Sequence, residues 1–89
     1  MYLYEIQPSL QQKLKILLKK DKSLYEQIIK KINEIINSSD IEHYKNLRYN
    51  MKEAKRVHIV HFVLIFSFNK NSNMITFLDF DHRDNVYKR

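Results

Sequence analysis

KRVHIVHFVLIFSF, residues 55–68, is the stretch on which the fold turns. In its first half, Val57 and Ile59 alternate with Arg56, His58 and Val60, the two-residue period of a half-buried strand. From His61 to Phe68 it is almost wholly apolar, as in a central strand covered on both faces. Asn69-Lys70-Asn71-Ser72-Asn73 then reads as a turn without glycine. It leads into a further strand, Met74 to Phe80, in which Ile75, Phe77 and Asp79 oppose Met74, Thr76, Leu78 and Phe80. The closing DHRDNVYKR is charged and is expected to add one last helical turn.

Upstream the period is different. Tyr2, Tyr4 and Ile6 alternate with Leu3 and Glu5 as a short strand that stops at Pro8. A helix opening at Gln7 or Ser9 carries Leu10, Leu14, Leu17 and Leu18 on one stripe. Lys19 and Lys20 fall in its last turn, where the helix dipole favours cations. Asp21 breaks the pattern and can cap a second helix, Ser23 to Asn37, whose apolar face is Leu24, Ile28, Ile32, Ile35 and Ile36. A joint of about three residues makes the pair an antiparallel helical hairpin. Asn37 to Asp40 is an exit loop, and Ile41 to Lys55 is polar and irregular, anchored by Leu47, Tyr49 and Met51. The order β-α-α-β-β-β, with strands segregated from helices, predicts an α+β fold: a helical hairpin on one face of an antiparallel sheet. The other face is expected to be partly polar, since nothing in the chain remains to cover it. At 89 residues this is one domain, 1–89, with one modest core.

Composition removes whole classes of function. With no glycine, neither the phosphate-binding P-loop nor the dinucleotide fingerprint can form, because both need backbone without Cβ against phosphate. With no cysteine there are no disulfides, thiolate nucleophiles or cysteine-containing zinc sites. Positive-φ turn positions fall to Asn and Asp. Sixteen Lys and Arg against ten Asp and Glu give a net charge of +6, which suits an acidic partner: nucleic acid, an anionic membrane or an acidic protein. The apolar run Ile59 to Phe68 is too short to span a bilayer, so no membrane partner is expected. MYLYEIQPSL lacks the basic head and apolar stretch of a secretion signal, so the expected location is the cytoplasm.

Chemistry concentrates late in the chain. No metal or other cofactor is expected: His43, His58, His61 and His82 are scattered, and residues three apart on a strand face opposite ways. The serines have no sharp strained turn around them to expose a nucleophile. Asp79, Asp81 and Asp84 flank His82 and Arg83, a pattern explained by local ion pairing. The more telling group is basic and aromatic: Arg48 and Tyr49; Lys52, Lys55, Arg56 and His58; His82, Arg83 and Tyr87. Arg56 and His58, two apart, share a strand face, and such a face can hold a phosphate and stabilise charge developing on it.

At these residues the chain resembles the RelE/ParE superfamily of type II toxins, and especially archaeal-type members of its RelE-like branch. The features are a helical hairpin after a short strand, the run KRVHIVHFVLIFSF, and the ending FLDFDHRDNVY, a strand followed by His-Arg and then Val-Tyr. The resemblance implies a toxin of a toxin–antitoxin pair, a ribosome-dependent endoribonuclease that cuts messenger in the A site. In that reaction a ribose 2′-OH attacks the adjacent phosphate, leaving a cyclic phosphate and a free 5′-OH. It implies catalytic roles for Arg56, His58, His82, Arg83 and Tyr87, and RNA binding by Arg48, Lys52 and Lys55. The implied partners are an acidic RelB-like antitoxin, mRNA in the A site and rRNA. Where many members read Tyr-Arg-aliphatic-aliphatic-Tyr, this chain reads Phe62-Val63-Leu64-Ile65-Phe66, so Val63 replaces an arginine, with His61 a candidate to compensate. Many relatives also place glycine where Val60-His61 and Phe80-Asp81 stand here. Two rival readings keep the fold: a ParE-like inhibitor of DNA gyrase, and an inert module that binds only an antitoxin.

Overall fold

Pro8 ends the first strand and starts the first helix: its ring presets a helical φ, and its missing N–H goes unneeded in the first turn. The computed structural model describes residues 2–49 and 52–87. The elements are β1 (Leu3–Ile6), α1 (Pro8–Lys20), α2 (Lys22–Ile36), a 3-10 turn at Ile41–His43, β2 (Lys45–Tyr49), β3 (Lys52–Ile59), β4 (Phe62–Asn69), β5 (Met74–His82) and α3 (Arg83–Tyr87). The five strands form one sheet in the order β1-β5-β4-β3-β2. β2 to β5 are antiparallel neighbours, and β1 lies parallel to β5, with Leu3 opposite Met74 and Ile6 opposite Phe77.

The fold is α+β, as the alternation and the Leu/Ile stripes predict. The helical joint is tighter than expected, because Asp21 serves both helices at once. Its N–H donates to Leu17 O at 2.8 Å, closing α1, and its carboxylate accepts from Leu24 N at 3.1 Å, opening α2. Leu10, Leu14, Leu24, Ile28, Ile32 and Ile35 then bury against Leu64, Phe66, Ile75 and Phe77. Each such side chain contributes roughly 1.5–3 kcal/mol by leaving water.

Three sequence expectations are corrected. The stretch expected to be irregular holds β2, paired through Lys45↔Arg56, Leu47↔Ala54 and Tyr49↔Lys52. As an edge strand it half-buries only Leu47 and Tyr49, too little for its alternation to stand out; Met51, the third expected anchor, lies outside the described residues. The second correction is Phe80. Strict alternation puts it opposite Phe77, but the pairing shifts register between Ile65 and Phe66, so that Phe66 faces Phe77 while Ile65 faces Asp79. This bulge returns Phe80 to the helix-side core. The third concerns the far face of the sheet, which is not left uncovered. The charged tail forms α3 and drops Val86 onto Ala54, Val63 and Ile65, a second small core joined by Leu47, Tyr49 and Leu78.

Turns without glycine have a cost at one place. Asn73 takes φ 56°, which asparagine tolerates, and Asn69 Oδ1 accepts from Asn71 N at 2.9 Å and Ser72 N at 3.3 Å. The two-residue link Val60-His61 between β3 and β4, however, places β-branched Val60 at φ 58°. That is a strained conformation for such a residue. Among the described residues no helix is long and apolar enough to cross a membrane.

Candidate functional site

The site grows from β3. Arg56 and His58 point to the α3 side of the sheet, opposite Ile65 and Val63 of β4, which in turn face Asp79 and Asp81 of β5. α3 is brought back over them by four anchors. Arg83 N donates to His61 O at 3.0 Å, and Asp84 N donates to His82 Nδ1 at 3.2 Å. Asn85 Nδ2 donates to Asp81 Oδ1 at 3.1 Å, and Val86 is buried. The helix therefore delivers Tyr87 to β3. Its ring lies under the Arg56 guanidinium, 5.3 Å from Cζ to centroid, and its hydroxyl stands 3.2 Å from His58 Nε2.

His58, Arg83, Asp84 and Tyr87 line an open depression. Arg83 is exposed and, among the described residues, enters no ion pair. Arg56 is half-buried against the Tyr87 ring, and its Nε is shielded from solvent with no hydrogen-bond partner. The Arg83 guanidinium, an imidazole and a phenol around one depression, with Arg56 against the phenol ring, can hold an anionic group and move a proton beside it.

The nearby acids serve the architecture. Asp79 receives Lys13 Nζ of α1 at 2.7 Å, Tyr49 Oη of β2 at 2.5 Å and Phe80 N at 2.8 Å. Burial raises its carboxyl, but the hydrogen bonds from Lys13 and Tyr49 outweigh burial and hold it below the usual carboxylate value. Asp79 is thus an anion that ties α1, β2 and β5 together. The local pairing expected for these acids holds for Asp84, whose Oδ2 lies 3.6 Å from His82 Nδ1, whereas Asp79 pairs at long range with Lys13 of α1, 66 positions away in sequence.

Of the candidates drawn from the sequence, Arg56, His58, Arg83 and Tyr87 come together. His82 adjoins them, but its Nδ1 is engaged by the Asp84 amide, and its ring lies 6.4 Å from that of His61 and 5.4 Å from that of Phe62. Lys52 shares the face of Arg56, about 13 Å farther along β3 at the usual strand rise. Lys55 lies on the opposite face, 9% exposed, with Nζ donating to Tyr44 O at 3.3 Å and Asn46 Oδ1 at 3.1 Å. Arg48 pairs in register with Glu53, also away from the Arg56 face. Val63, in the place of the family's arginine, is fully buried under α3, while His61 sits in the turn beside His82. Asp84 in the depression was missed, because only the backward fold of α3 puts it there. Among the described residues no group of three His, Asp or Glu side chains is arranged to hold a metal ion.

This architecture recurs in solved structures. The isolated E. coli RelE toxin superposes with a TM-score of 0.73 at 20% identity, over 99% of this chain and 93% of that one. The archaeal RelE from the RelE–RelB complex of Pyrococcus horikoshii OT3 gives 0.71 at 17% identity, over 92% and 94%. These likenesses define the class, a RelE fold. In sequence, no protein-family model matches, but the chain is 47% identical over 90 residues to the Methanocaldococcus jannaschii protein named "Putative toxin RelE4", covering 100% of this chain and 94% of that protein. The chain belongs to the RelE-like family of toxin–antitoxin toxins.

Proposed function

We propose that this protein is a ribosome-dependent mRNA endoribonuclease, neutralised by an acidic RelB-like antitoxin. The observation that carries the reading is the hydrogen-bonded pair of Tyr87 Oη and His58 Nε2, flanked by Arg56 and Arg83. In the proposed reaction the ribose 2′-OH attacks the adjacent phosphorus and its proton passes to His58, with Tyr87 orienting the imidazole. The new bond is 2′-O–P and the bond broken is P–5′-O. The products are a 2′,3′-cyclic phosphate and a 5′-oxygen that leaves with a proton from solvent. Arg56 and Arg83 supply donors to the phosphate oxygens as charge grows on them, where fixed donors act most strongly. Lys52 extends the cationic surface along β3, and Arg48 and Lys55, on the other face, add only to the general attraction for rRNA and messenger.

The partner reading is supported by the RelE–RelB complex among the structural neighbours and by the charge of +6. Action on ribosomes places the protein in the cytoplasm. The test is incubation of the purified chain with programmed ribosomes and mapping of messenger 5′ ends. Cleavage in the A-site codon is expected, and His58→Ala or Arg83→Ala should slow it about 10²–10⁴-fold. The buried Val63 in place of the family's arginine favours, as the second reading, a ParE-like action on gyrase. Uncut messenger together with a fall in gyrase supercoiling would establish that reading instead.

A further inference from the structure

We infer that His82 is a positioning residue that works as a neutral imidazole: it caps α3 and so holds Arg83 and Tyr87 over β3, and its protonation releases that helix. The bond in question is Asp84 N–H to His82 Nδ1, 3.2 Å. The donor is a backbone amide, so the ring nitrogen must offer a lone pair, which only an unprotonated Nδ1 has. α3 is a helix of 5 residues, too short to persist without its tertiary anchors. The cap acceptor on its first turn is one of the four anchors that keep it formed.

The surroundings decide what protonation does. From the β3–β4 turn, His61 brings a second imidazole ring against His82, so charge on both rings is repulsive. From α3 come the Arg83 cation and the Asp84 carboxylate, whose Oδ2 lies 3.6 Å from Nδ1. Asp81 on β5 accepts from His82 N at 2.8 Å and lines a shallow depression together with Lys13 and Lys20 of α1. Once Nδ1 carries a proton it can no longer accept from the Asp84 amide. It gains instead an ion pair between two exposed groups, which contributes little, and it sets a cation at the positive end of a helix. The exchange is unfavourable for α3. His82 thus acts through Arg83 and Tyr87 without touching the phosphate.

As an account of catalysis this rests on the nuclease reading; as an account of α3 it does not, and the experiment separates the two. Amide exchange is followed by NMR on the whole chain as pH is lowered in steps from about 8 to about 5. After correction for intrinsic exchange, protection of the Asp84 to Tyr87 amides should fall about fivefold, the loss expected for one helix cap. His82→Asn keeps a side-chain acceptor that does not titrate, so its protection should stay flat with pH. His82→Ala should show the low-pH protection throughout. Equal pH-dependence in wild type and His82→Asn would overturn the inference, since the His58–Tyr87 bond would then be the sensor. So would unchanged protection in His82→Ala. On programmed ribosomes, His82→Asn should keep the acid limb that the base His58 imposes but lose the further loss of rate that comes with release of α3, and His82→Ala should cut at a reduced rate. Were wild type not to cut at all, the nuclease reading would fall while the exchange data still decided the role of His82.

Discussion

Tyr87 meets His58 across 29 positions of sequence, hydroxyl to Nε2 at 3.2 Å, because a helix of 5 residues turns the chain back over the sheet. Each ring thereby limits the freedom of the other, and Arg56 closes over the tyrosine from the far side. Tyr87→Phe should keep the Arg56 contact and the fold but lose the bond to the imidazole. Cleavage on programmed ribosomes is expected to fall by about 10–10²-fold, while unfolding free energy stays within about 0.5 kcal/mol of wild type, as for other exposed sites. Paired rate and denaturation measurements check both halves.

How far the sequence reveals this site can be judged from parity. Arg56 and His58 are two apart, so their common face is legible; the same parity separates Lys55 from both, and Lys55 is indeed on the other side. The two helices and β4 are legible because their apolar patterns are long and strong. β2 is obscure because an edge strand needs little apolar surface, and Phe80 because a bulge breaks the very alternation used to read it. The approach of Tyr87 to His58 depends on a reversal of chain direction that no local pattern records.

Restoring the family's arginine should not restore a phosphate contact. Val63 is fully buried between β4 and α3, among Ala54, Ile65 and Val86. Val63→Arg would bury an unpaired guanidinium or expel the helix. A destabilisation of about 3 kcal/mol or more is expected by urea denaturation, with cleavage reduced rather than enhanced.

Asp79 gives a stability signature at acid pH. Its folded pKa lies below the ordinary value, so the contribution of its charge is complete above about 3.9 and is lost as pH falls through the lower folded value. Asp79→Asn should therefore be less stable than wild type by about 2 kcal/mol at pH 7, the scale of hydrogen bonds to a charged group, with the difference vanishing at the lowest pH. Denaturant titrations at a series of pH values between 7 and about 2 would trace the convergence.

Val60 offers a gain. A β-branched residue at φ 58° is strained, and in a two-residue hairpin a single positive φ at the first position suits glycine. Val60→Gly should stabilise the protein by about 1 kcal/mol, a rise of several degrees in Tm for a domain of this size. Calorimetry reads it directly.

The parallel pairing of β1 with β5 has a kinetic consequence. Glu5 and Thr76, bonded at 3.0 Å, stand 71 residues apart, so this ladder closes nearly the whole chain into one loop. The entropy of that closure must be met before the pairing returns anything, which makes it a late event in folding. The β2–β5 meander and the helical hairpin are more local and can organise first. The same order in reverse makes detachment of β1 an accessible partial opening of the native protein, one that bares the Met74–Phe77 edge of β5 while the meander stays folded.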